Sequence, residues 1–342
     1  MEKIKLTIDG REMEAGLGSS LLLIAREADI YIPAICSHPD LQPGGNCGLC
    51  VVELAGQEDL VKACETSAAA GMEVYTNTPR VKEYRKEKMA AILGDHPHAC
   101  LTCAQQEGCS RTQCSSNVSP DERCCEKLGN CELQKIAMYI GIKLDTPRYV
   151  YRELPVIREE KLINRDYNLC IGCGRCVRMC SDVRGIGALQ MTEMQGKLVA
   201  VPKNGSLADS GCRFCAACVA VCPTGALMDK AGRCLRGELR RDISKPPMPP
   251  ESWLVFNEEN VDKVPGVEGV LQLLDEKKMV LAIIGTANLR EALGEYLENE
   301  KISYFVYEEE PMYTSRESQL IQQFLQKHGR LPEGVGDMDD LF

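Results

Sequence analysis

Two stretches decide the fold of the middle of the chain: Cys170-Ile171-Gly172-Cys173-Gly174-Arg175-Cys176-Val177-Arg178-Met179-Cys180 and Cys212-Arg213-Phe214-Cys215-Ala216-Ala217-Cys218-Val219-Ala220-Val221-Cys222-Pro223. Both read Cys-x2-Cys-x2-Cys-x3-Cys, an internal duplication, and the second closes on proline. This spacing wraps three thiolates round one corner of a 4Fe–4S cube, while the last cysteine reaches across to the other cube of a pair. The expected ligand sets are therefore Cys170, Cys173, Cys176 and Cys222 for one cube, and Cys180, Cys212, Cys215 and Cys218 for the other. Gly172, Gly174, Ala216 and Ala217 are small enough for backbone N–H groups to approach the cluster sulfurs. Structural zinc is the competing reading, but zinc ribbons lack the third Cys-x2 step and the x3-Cys-Pro ending.

Working towards the N-terminus, a second pattern is Cys36-x10-Cys47-x2-Cys50-x13-Cys64, set in Pro43-Gly44-Gly45-Asn46-Cys47-Gly48-Leu49-Cys50. A Gly-rich loop holding Cys-x2-Cys, with one cysteine before it and one well after, is the plan of a plant-type 2Fe–2S site, although the first gap is longer here. Zinc is again the alternative. Between the two patterns lies His96-x3-Cys100-x2-Cys103-x5-Cys109. One imidazole and three thiolates can hold a further 4Fe–4S cube, since imidazole also ligates iron. His98 is a nearby decoy, and the cysteine spacing favours His96.

The composition agrees with a metal protein. The chain has 342 residues, 20 Cys, 5 Phe and 1 Trp. Its opening residues show no signal-peptide apolar core, and no apolar run approaches a membrane span, so a cytoplasmic, reducing location is expected. In that setting repeated Cys-x2-Cys means metal rather than disulfide. The net charge is −10, and residues 251–342 alone hold 19 acidic and 8 basic side chains. Nucleic-acid binding is disfavoured, because phosphate contacts need a basic surface. The acidic end suits docking or solubilisation.

Periodicity divides the chain. Residues 1–78 read as a β-rich domain, with Ile4, Leu6 and Ile8 alternating, a hairpin at Asp9-Gly10, a return over Glu12–Ala15, and a helix over Leu21–Ala28 capped by Ser19 or Ser20. Strands are expected at Val51–Leu54 and Met72–Tyr75. A helix over 79–94 opens on Pro79 with Val81, Tyr84, Lys88 and Ile92 along one side. Residues 79–145 form the His/Cys segment and 146–243 the paired-cluster domain. A Pro-rich linker, Lys245-Pro246-Pro247-Met248-Pro249-Pro250, leads to a cysteine-free acidic α/β unit at 253–342. There Met279–Ile284 and Ile302–Tyr307 read as strands of a plain βαβ unit. Helices are capped by Asn288 (with Leu289, Leu293, Tyr296 and Leu297) and by Thr314-x-x-Glu317 (with Leu320, Ile321, Phe324 and Leu325). Gly285-Thr286-Ala287-Asn288 lacks the Gly-x-Gly-x-x-Gly string of a dinucleotide site. No flavin or nicotinamide site and no catalytic constellation is expected on this chain.

The order of these sites resembles the N-terminal region of the large iron–sulfur subunit of respiratory complex I. It also resembles diaphorase subunits of NAD-linked hydrogenases and the N-terminal parts of iron-only hydrogenases and NAD-dependent formate dehydrogenases. The residues that carry the resemblance are Cys36, Cys47, Cys50 and Cys64, then His96-Pro97-x-x-Cys100-x2-Cys103, then Asn168-x-Cys170-Ile171-x-Cys173-Gly174-Arg175-Cys176-Val177-Arg178. The resemblance implies an α+β architecture: a β-grasp 2Fe–2S ferredoxin domain, a His-ligated cluster segment and a two-4Fe–4S ferredoxin domain. It implies a multi-cluster electron-transfer subunit of a soluble, NAD(P)H-linked and sometimes electron-bifurcating oxidoreductase complex. The implied partners are an NAD(P)H-oxidising flavoprotein, a thioredoxin-like 2Fe–2S subunit and a catalytic subunit. A free-standing polyferredoxin-like carrier is the alternative, and a zinc-rich scaffold a third reading.

One departure from the family pattern stands out. The family's Gly-x-Cys-x-Leu-Gln string, here Gly129-Asn130-Cys131-Glu132-Leu133-Gln134, comes late, after an insertion holding Cys109, Cys114, Cys124 and Cys125. Either Cys109 completes the His96, Cys100, Cys103 site by spacing, or Cys131 does so by local match. The local match is favoured. The leftover Cys109, Cys114, Cys124 and Cys125 then suffice for an additional 4Fe–4S cube, with zinc or bare thiols as alternatives. The expected cofactors are one 2Fe–2S cluster and three 4Fe–4S clusters, with a fourth in the insertion. Cys234 is read as an unliganded thiol.

Overall fold

The structure is a computed structural model that describes residues 3–101, 103, 114, 116–129, 131–142, 146–160, 162–230, 243–250, 253–332 and 334, with the side chains of 323, 326 and 327 excepted. It falls into two compact units: Met1–Thr102 with Val118–Pro249, and Cys103–Asn117 with Pro250–Phe342. Cys109 and Cys234 lie outside the described residues.

The first unit opens on a five-stranded sheet in the spatial order Arg11–Gly16, Lys3–Ile8, Glu73–Tyr75, Val51–Leu54, Val61–Lys62. The expected hairpin forms, with Ile8 paired to Arg11 and both Asp9 and Gly10 left-handed (φ 49° and 77°). This is the backbone that a two-residue turn demands. Ile4, Leu6 and Ile8 all point into one core with Leu21, Leu22, Ile24 and Ala25 of helix Leu21–Glu27. Ser20 caps that helix by accepting from the Leu23 N–H. Cys50 and Cys64 belong to the same core, so the metal loop is anchored on the domain's apolar centre.

Helix Pro79–Gly94 forms with the expected bounds and is capped by Thr78. Its inward face differs from the expected one. Val81, Arg85, Met89 and Leu93 are buried, whereas Tyr84, Lys88 and Ile92 are only half-buried. A hydropathy reading skips Arg85. Its guanidinium nevertheless goes inward because it donates to the carbonyls of Leu49 (3.0 Å) and Val51 (2.7 Å), next to Cys50. A buried cation with satisfied donors is tolerated where an unpaired one is not.

Around the duplicated cysteine runs the regular structure is sparse. One three-stranded antiparallel sheet (Leu227–Asp229, Ile163–Asp166, Val156–Ile157) and one hairpin (Leu189–Met194 with Lys197–Pro202) frame two four-residue helices, Arg175–Arg178 and Ala217–Ala220. Each short helix carries the third cysteine of its run, and Cys180 sits on a π-helical turn, Met179–Val183.

In the second unit a four-stranded antiparallel sheet has the order Leu254–Val255, Tyr304–Glu309, Gly269–Leu274, Val280–Thr286. The βαβ expectation is corrected here. The two expected strands are separated by Gly269–Leu274, an apolar run that the sequence reading passed over, and both pair with it antiparallel. Asn288 caps Leu289–Gly294 as expected, and Leu289 and Leu293 are buried while Leu297 is exposed. The last helix, Tyr313–His328, begins ahead of Thr314 with no side-chain cap. Glu317 instead accepts from the Gly285 N–H at 2.9 Å, tying the helix to the neighbouring strand.

Candidate metal centres

The loop between Cys36 and Cys50 draws its thiols together with Cys64. The Cys36 and Cys47 side chains share a hydrogen bond, as do those of Cys50 and Cys64. The N–H groups of Asn46 and Cys47 donate to Cys36, and that of Gly45 donates to Cys64. Hydrogen bonding from Cys47 pulls the Cys36 thiol down to about 6 despite its burial. Bonding from Cys50 likewise lowers Cys64, while Cys47 and Cys50 are pushed up by the same pairings. A thiolate held by backbone N–H groups is the form that binds iron.

The duplicated runs place four thiols, Cys170, Cys173, Cys176 and Cys222, around one pocket walled by Ile171, Gly174, Ala200, Thr224 and Leu227. Burial, reinforced by the Cys222 charge, pushes Cys173 up to about 12. The same desolvation raises Cys176, with Cys173, Cys170 and Cys222 as neighbours. Cys218 is raised by burial and then by the charges of Cys212, Cys215 and Cys180. The structure thus brings Cys222 to the first run and Cys180 to the second. Backbone donors converge on both groups: Ala188 N–H on Cys180 Sγ and Phe214 N–H on Cys212 Sγ, each at 3.3 Å, and Gly172 N–H on Cys170.

Within the runs, the residues two and four places after the first cysteine are left-handed, the first of each pair being the Gly172 and Phe214 donors. In the first run they are Gly172 (φ 66°) and Gly174 (φ 70°), in the second Phe214 (φ 53°) and Ala216 (φ 50°). Of the small residues, Gly172 places its N–H on a cysteine sulfur, and Gly174 and Ala216 share its left-handed backbone. Position 214 shows that what the site requires is the backbone conformation, which Phe adopts at a cost in strain. Ala217 has a different place, as the first residue of its short helix.

At the third candidate centre, His96 is buried and its Nδ1 lies 2.8 Å from the Pro97 carbonyl oxygen. A carbonyl only accepts, so Nδ1 carries the proton and Nε2 keeps the lone pair that a metal would use. The pocket beside it is lined by His96, Cys124, Cys125, Cys131, Leu133 and Gln134. Cys100 joins through Cys124, whose N–H lies 3.3 Å from Cys100 Sγ. The Cys124 side chain also lowers the Cys100 thiol to about 6. Cys131 is raised to about 11 by burial. His98, the decoy, turns its Nδ1 to the His96 carbonyl and does not line the pocket. Of the expected His-site set, the structure gathers His96, Cys100 and Cys131. Cys103 lies in the second unit, 3.1 Å from Ser116 Oγ, and Cys114 lies in that unit too. Cys124 and Cys125, expected with Cys109 and Cys114, instead line the His96 pocket. The vicinal pair itself was the only sequence signal for this.

Among the described residues no three His, Cys, Asp or Glu side chains converge on one ion-sized position. The donor sets fit iron–sulfur clusters: thiols spread round a walled space, with backbone N–H groups aimed at the sulfurs.

Two basic side chains of the first duplicated run tie the centres together. Arg175 is buried and forms a two-pronged ion pair with buried Glu132 while also donating to the Ser37 carbonyl at 2.5 Å. Arg178 donates to the carbonyls of Cys36 (2.6 Å), Gln42 and Cys173 (3.4 Å). From the His-site segment, Lys127 donates to Thr224 O (2.9 Å) and Cys222 O (3.3 Å), and Cys131 Sγ donates to Pro223 O (3.5 Å). None of these links was read from the sequence.

Comparison with known proteins agrees with the geometry. Residues 1–79 match a 2Fe-2S iron-sulfur cluster binding domain, 169–226 a 4Fe-4S dicluster domain, and 248–327 a domain of unknown function (DUF7508). An NADH-quinone oxidoreductase subunit of Rhizobium meliloti is 37% identical over 228 residues, 66% of this chain and 24% of the relative. The chain resembles the N-terminal iron–sulfur region of the complex I large subunit. It is also similar to the NADP-reducing hydrogenase subunit HndD of Solidesulfovibrio fructosivorans, 34% identical over 67% of this chain and 36% of the relative. In these pairs the chain spans only about a quarter to a third of the relative's length. Among solved structures, an NAD+-reducing [NiFe]-hydrogenase in its H2-reduced state matches with a TM-score of 0.55 and 26% identity, covering 67% of this chain and 88% of that one. No helix among the described residues is long and apolar enough to cross a membrane.

Proposed function

We propose that the chain is a multi-cluster iron–sulfur electron-transfer subunit of an NAD(P)H-linked oxidoreductase complex, relaying electrons between a flavoprotein subunit and a catalytic partner. The observation that carries this reading is the gathering of several thiol groups within one compact unit, joined by Arg175, Arg178 and Lys127. Relatives that are subunits of NADH-quinone oxidoreductase and NADP-reducing hydrogenase support it. Residues 1–78 hold a 2Fe–2S cluster on Cys36, Cys47, Cys50 and Cys64. Residues 146–243 hold two 4Fe–4S clusters, one on Cys170, Cys173, Cys176 and Cys222, the other on Cys180, Cys212, Cys215 and Cys218. Residues 79–145 hold a His96-ligated cluster with Cys100 and Cys131, for which Cys103, Cys124 and Cys125 are the candidate remaining ligands. Residues 253–342 form an acidic docking domain.

When bound, such clusters supply one-electron transfer. The chain's own residues favour the thiolate at Cys36, Cys64 and Cys100, exclude water by burial and fix the separations between centres. The test is anaerobic co-purification of the tagged chain from its native cell. An NAD(P)H-oxidising flavoprotein in near-equal amount is the expected result. A chain that elutes alone, with its clusters intact and reducible by small electron donors, would favour a free-standing carrier.

A further inference from the structure

A single guanidinium spans two candidate centres. Arg178 Nη2 lies 2.6 Å from the carbonyl oxygen of Cys36 and 3.4 Å from that of Cys173, and Nη1 donates to the Gln42 carbonyl. Cys36 belongs to the 2Fe–2S group and Cys173 to the pocket of the first duplicated run. The planar fork of arginine serves several carbonyls at once, which a lysine ammonium cannot reproduce in the same geometry. The position is also supported from behind. The neighbouring Arg175 is locked to Glu132 and to Ser37 O, so the short helix that carries Arg178 is pinned to the 2Fe–2S loop. Space around the fork is tight, because a Cβ added at Gly44 would lie 2.7 Å from Arg178 Nη2 and 2.9 Å from Cζ.

We infer that Arg178 is a positioning residue for electron transfer: its guanidinium clamps the ligand loops of the 2Fe–2S centre and the adjacent 4Fe–4S centre at a fixed separation, and its charge favours the reduced form of the 2Fe–2S centre. The inference rests on the proposed ligand sets for these two groups. The charge argument is Coulombic. An added electron makes a cluster more negative, and a nearby, partly desolvated cation stabilises that form more than the oxidised one. The clamp argument is geometric: one side chain holds both loops, so the gap between the centres cannot widen without breaking a charge-assisted hydrogen bond. An electron passing between the centres makes and breaks no bond, which leaves separation and relative potential as the quantities the protein sets.

The test is a dithionite-poised redox titration of the anaerobically purified full chain, followed by electron paramagnetic resonance. In wild type, the fully reduced sample is expected to show signals broadened by spin–spin interaction between the two centres. Arg178→Gln should shift the 2Fe–2S midpoint downward, so that the reduced fraction at a fixed potential falls severalfold, and should narrow the signals. Arg178→Lys keeps the charge but loses the fork, and should restore the midpoint while leaving the signals narrow. Gly44→Ala displaces the guanidinium without removing it, and should resemble Arg178→Lys if Arg178→Gln fails to retain its clusters. Wild-type midpoint and broadening in both Arg178→Gln and Gly44→Ala, with clusters intact, would overturn the inference. Absence of a 2Fe–2S signal from wild type would instead defeat the proposed function on which it rests.

Discussion

Arg175 grips Glu132 through two parallel hydrogen bonds, Nη1 to Oε2 at 2.8 Å and Nη2 to Oε1 at 2.7 Å, with both residues buried. Glu132 follows Cys131 directly, and Arg175 directly precedes Cys176, so this ion pair fastens the His-site segment to the first duplicated run. Removing one partner strands the other charge in a buried site, which costs about 3–5 kcal/mol. Glu132→Ala is therefore expected to lower the denaturant midpoint sharply. Replacing both partners by apolar residues should recover part of the loss. An unchanged midpoint in Glu132→Ala would show that the pair contributes nothing.

The gathering of Cys222 with the first run has a spectroscopic consequence. Cys222→Ser should perturb the cluster associated with Cys170, Cys173 and Cys176, and Cys180→Ser the one associated with Cys212, Cys215 and Cys218. Each substitution should leave the partner cluster's signal recognisable. Mössbauer or paramagnetic resonance spectra in which Cys222→Ser changes only the second cluster would contradict the grouping.

At the His96 pocket, the structure separates candidates that sequence alone left together. Cys131→Ser should disturb the His-ligated cluster, because Cys131 lines the pocket with His96. Cys124→Ser and Cys103→Ser then decide which thiol completes the set. A disturbance by Cys124→Ser matching that of Cys131→Ser would assign the inserted cysteine, and silence from Cys124→Ser would return the role to Cys103. A spectrum unaffected by Cys131→Ser would remove that residue from the site.

Much of this was legible in the cysteine spacing, and the part that was not has a common cause. The hairpin at Asp9-Gly10, the helix from Pro79 to Gly94 and the thiol groups of highest pattern specificity are local features, written in contiguous residues. Arg85 and Arg175 read as surface cations on hydropathy, yet they go inward, and half-buried Arg178 turns the same way, because loops wound round metal sites leave backbone carbonyls that no strand partner satisfies. The strand Gly269–Leu274 precedes both expected strands in sequence and lies between them only in the sheet, and its pairing with both is a long-range fact. Cys124 and Cys125 were assigned by counting leftovers, which carries no spatial information.

Iron content separates the totals. Anaerobically purified protein is expected to hold about 18 iron per chain if the insertion carries its own cube, and about 14 if Cys124 or Cys125 instead serves the His96 site. Stoichiometric zinc with little iron would overturn the iron–sulfur reading altogether.

The buried His38 gives a pH dependence. Burial lowers its imidazole from 6.5 to about 4, with the Arg175 charge acting in the same direction, and Nδ1 accepts from the Asp40 N–H at 3.3 Å. The folded-state value lies below the unfolded one, so the unfolded chain takes up the proton first. The contribution is present above the unfolded value and is lost as pH falls towards the folded one. Relative to His38→Asn, which keeps an acceptor, wild type should lose about 2 kcal/mol between about pH 7 and about pH 5. Parallel stability curves for the two proteins over that range would refute the assignment.

The interleaving of the duplicated runs also bears on how the chain is made. The thiol group that starts at Cys170 is not complete in space until Cys222 arrives, and the group that starts at Cys180 waits for Cys212, Cys215 and Cys218. A nascent chain that has exposed only the first run therefore presents an unfinished set, with three thiols and no fourth. On the proposed ligand sets each centre closes the other's loop, so neither half of the duplication would mature as an independent module. With those ligand sets an iron–sulfur donor would have to meet the chain after its second run has left the ribosome, or load a partial site that later rearranges.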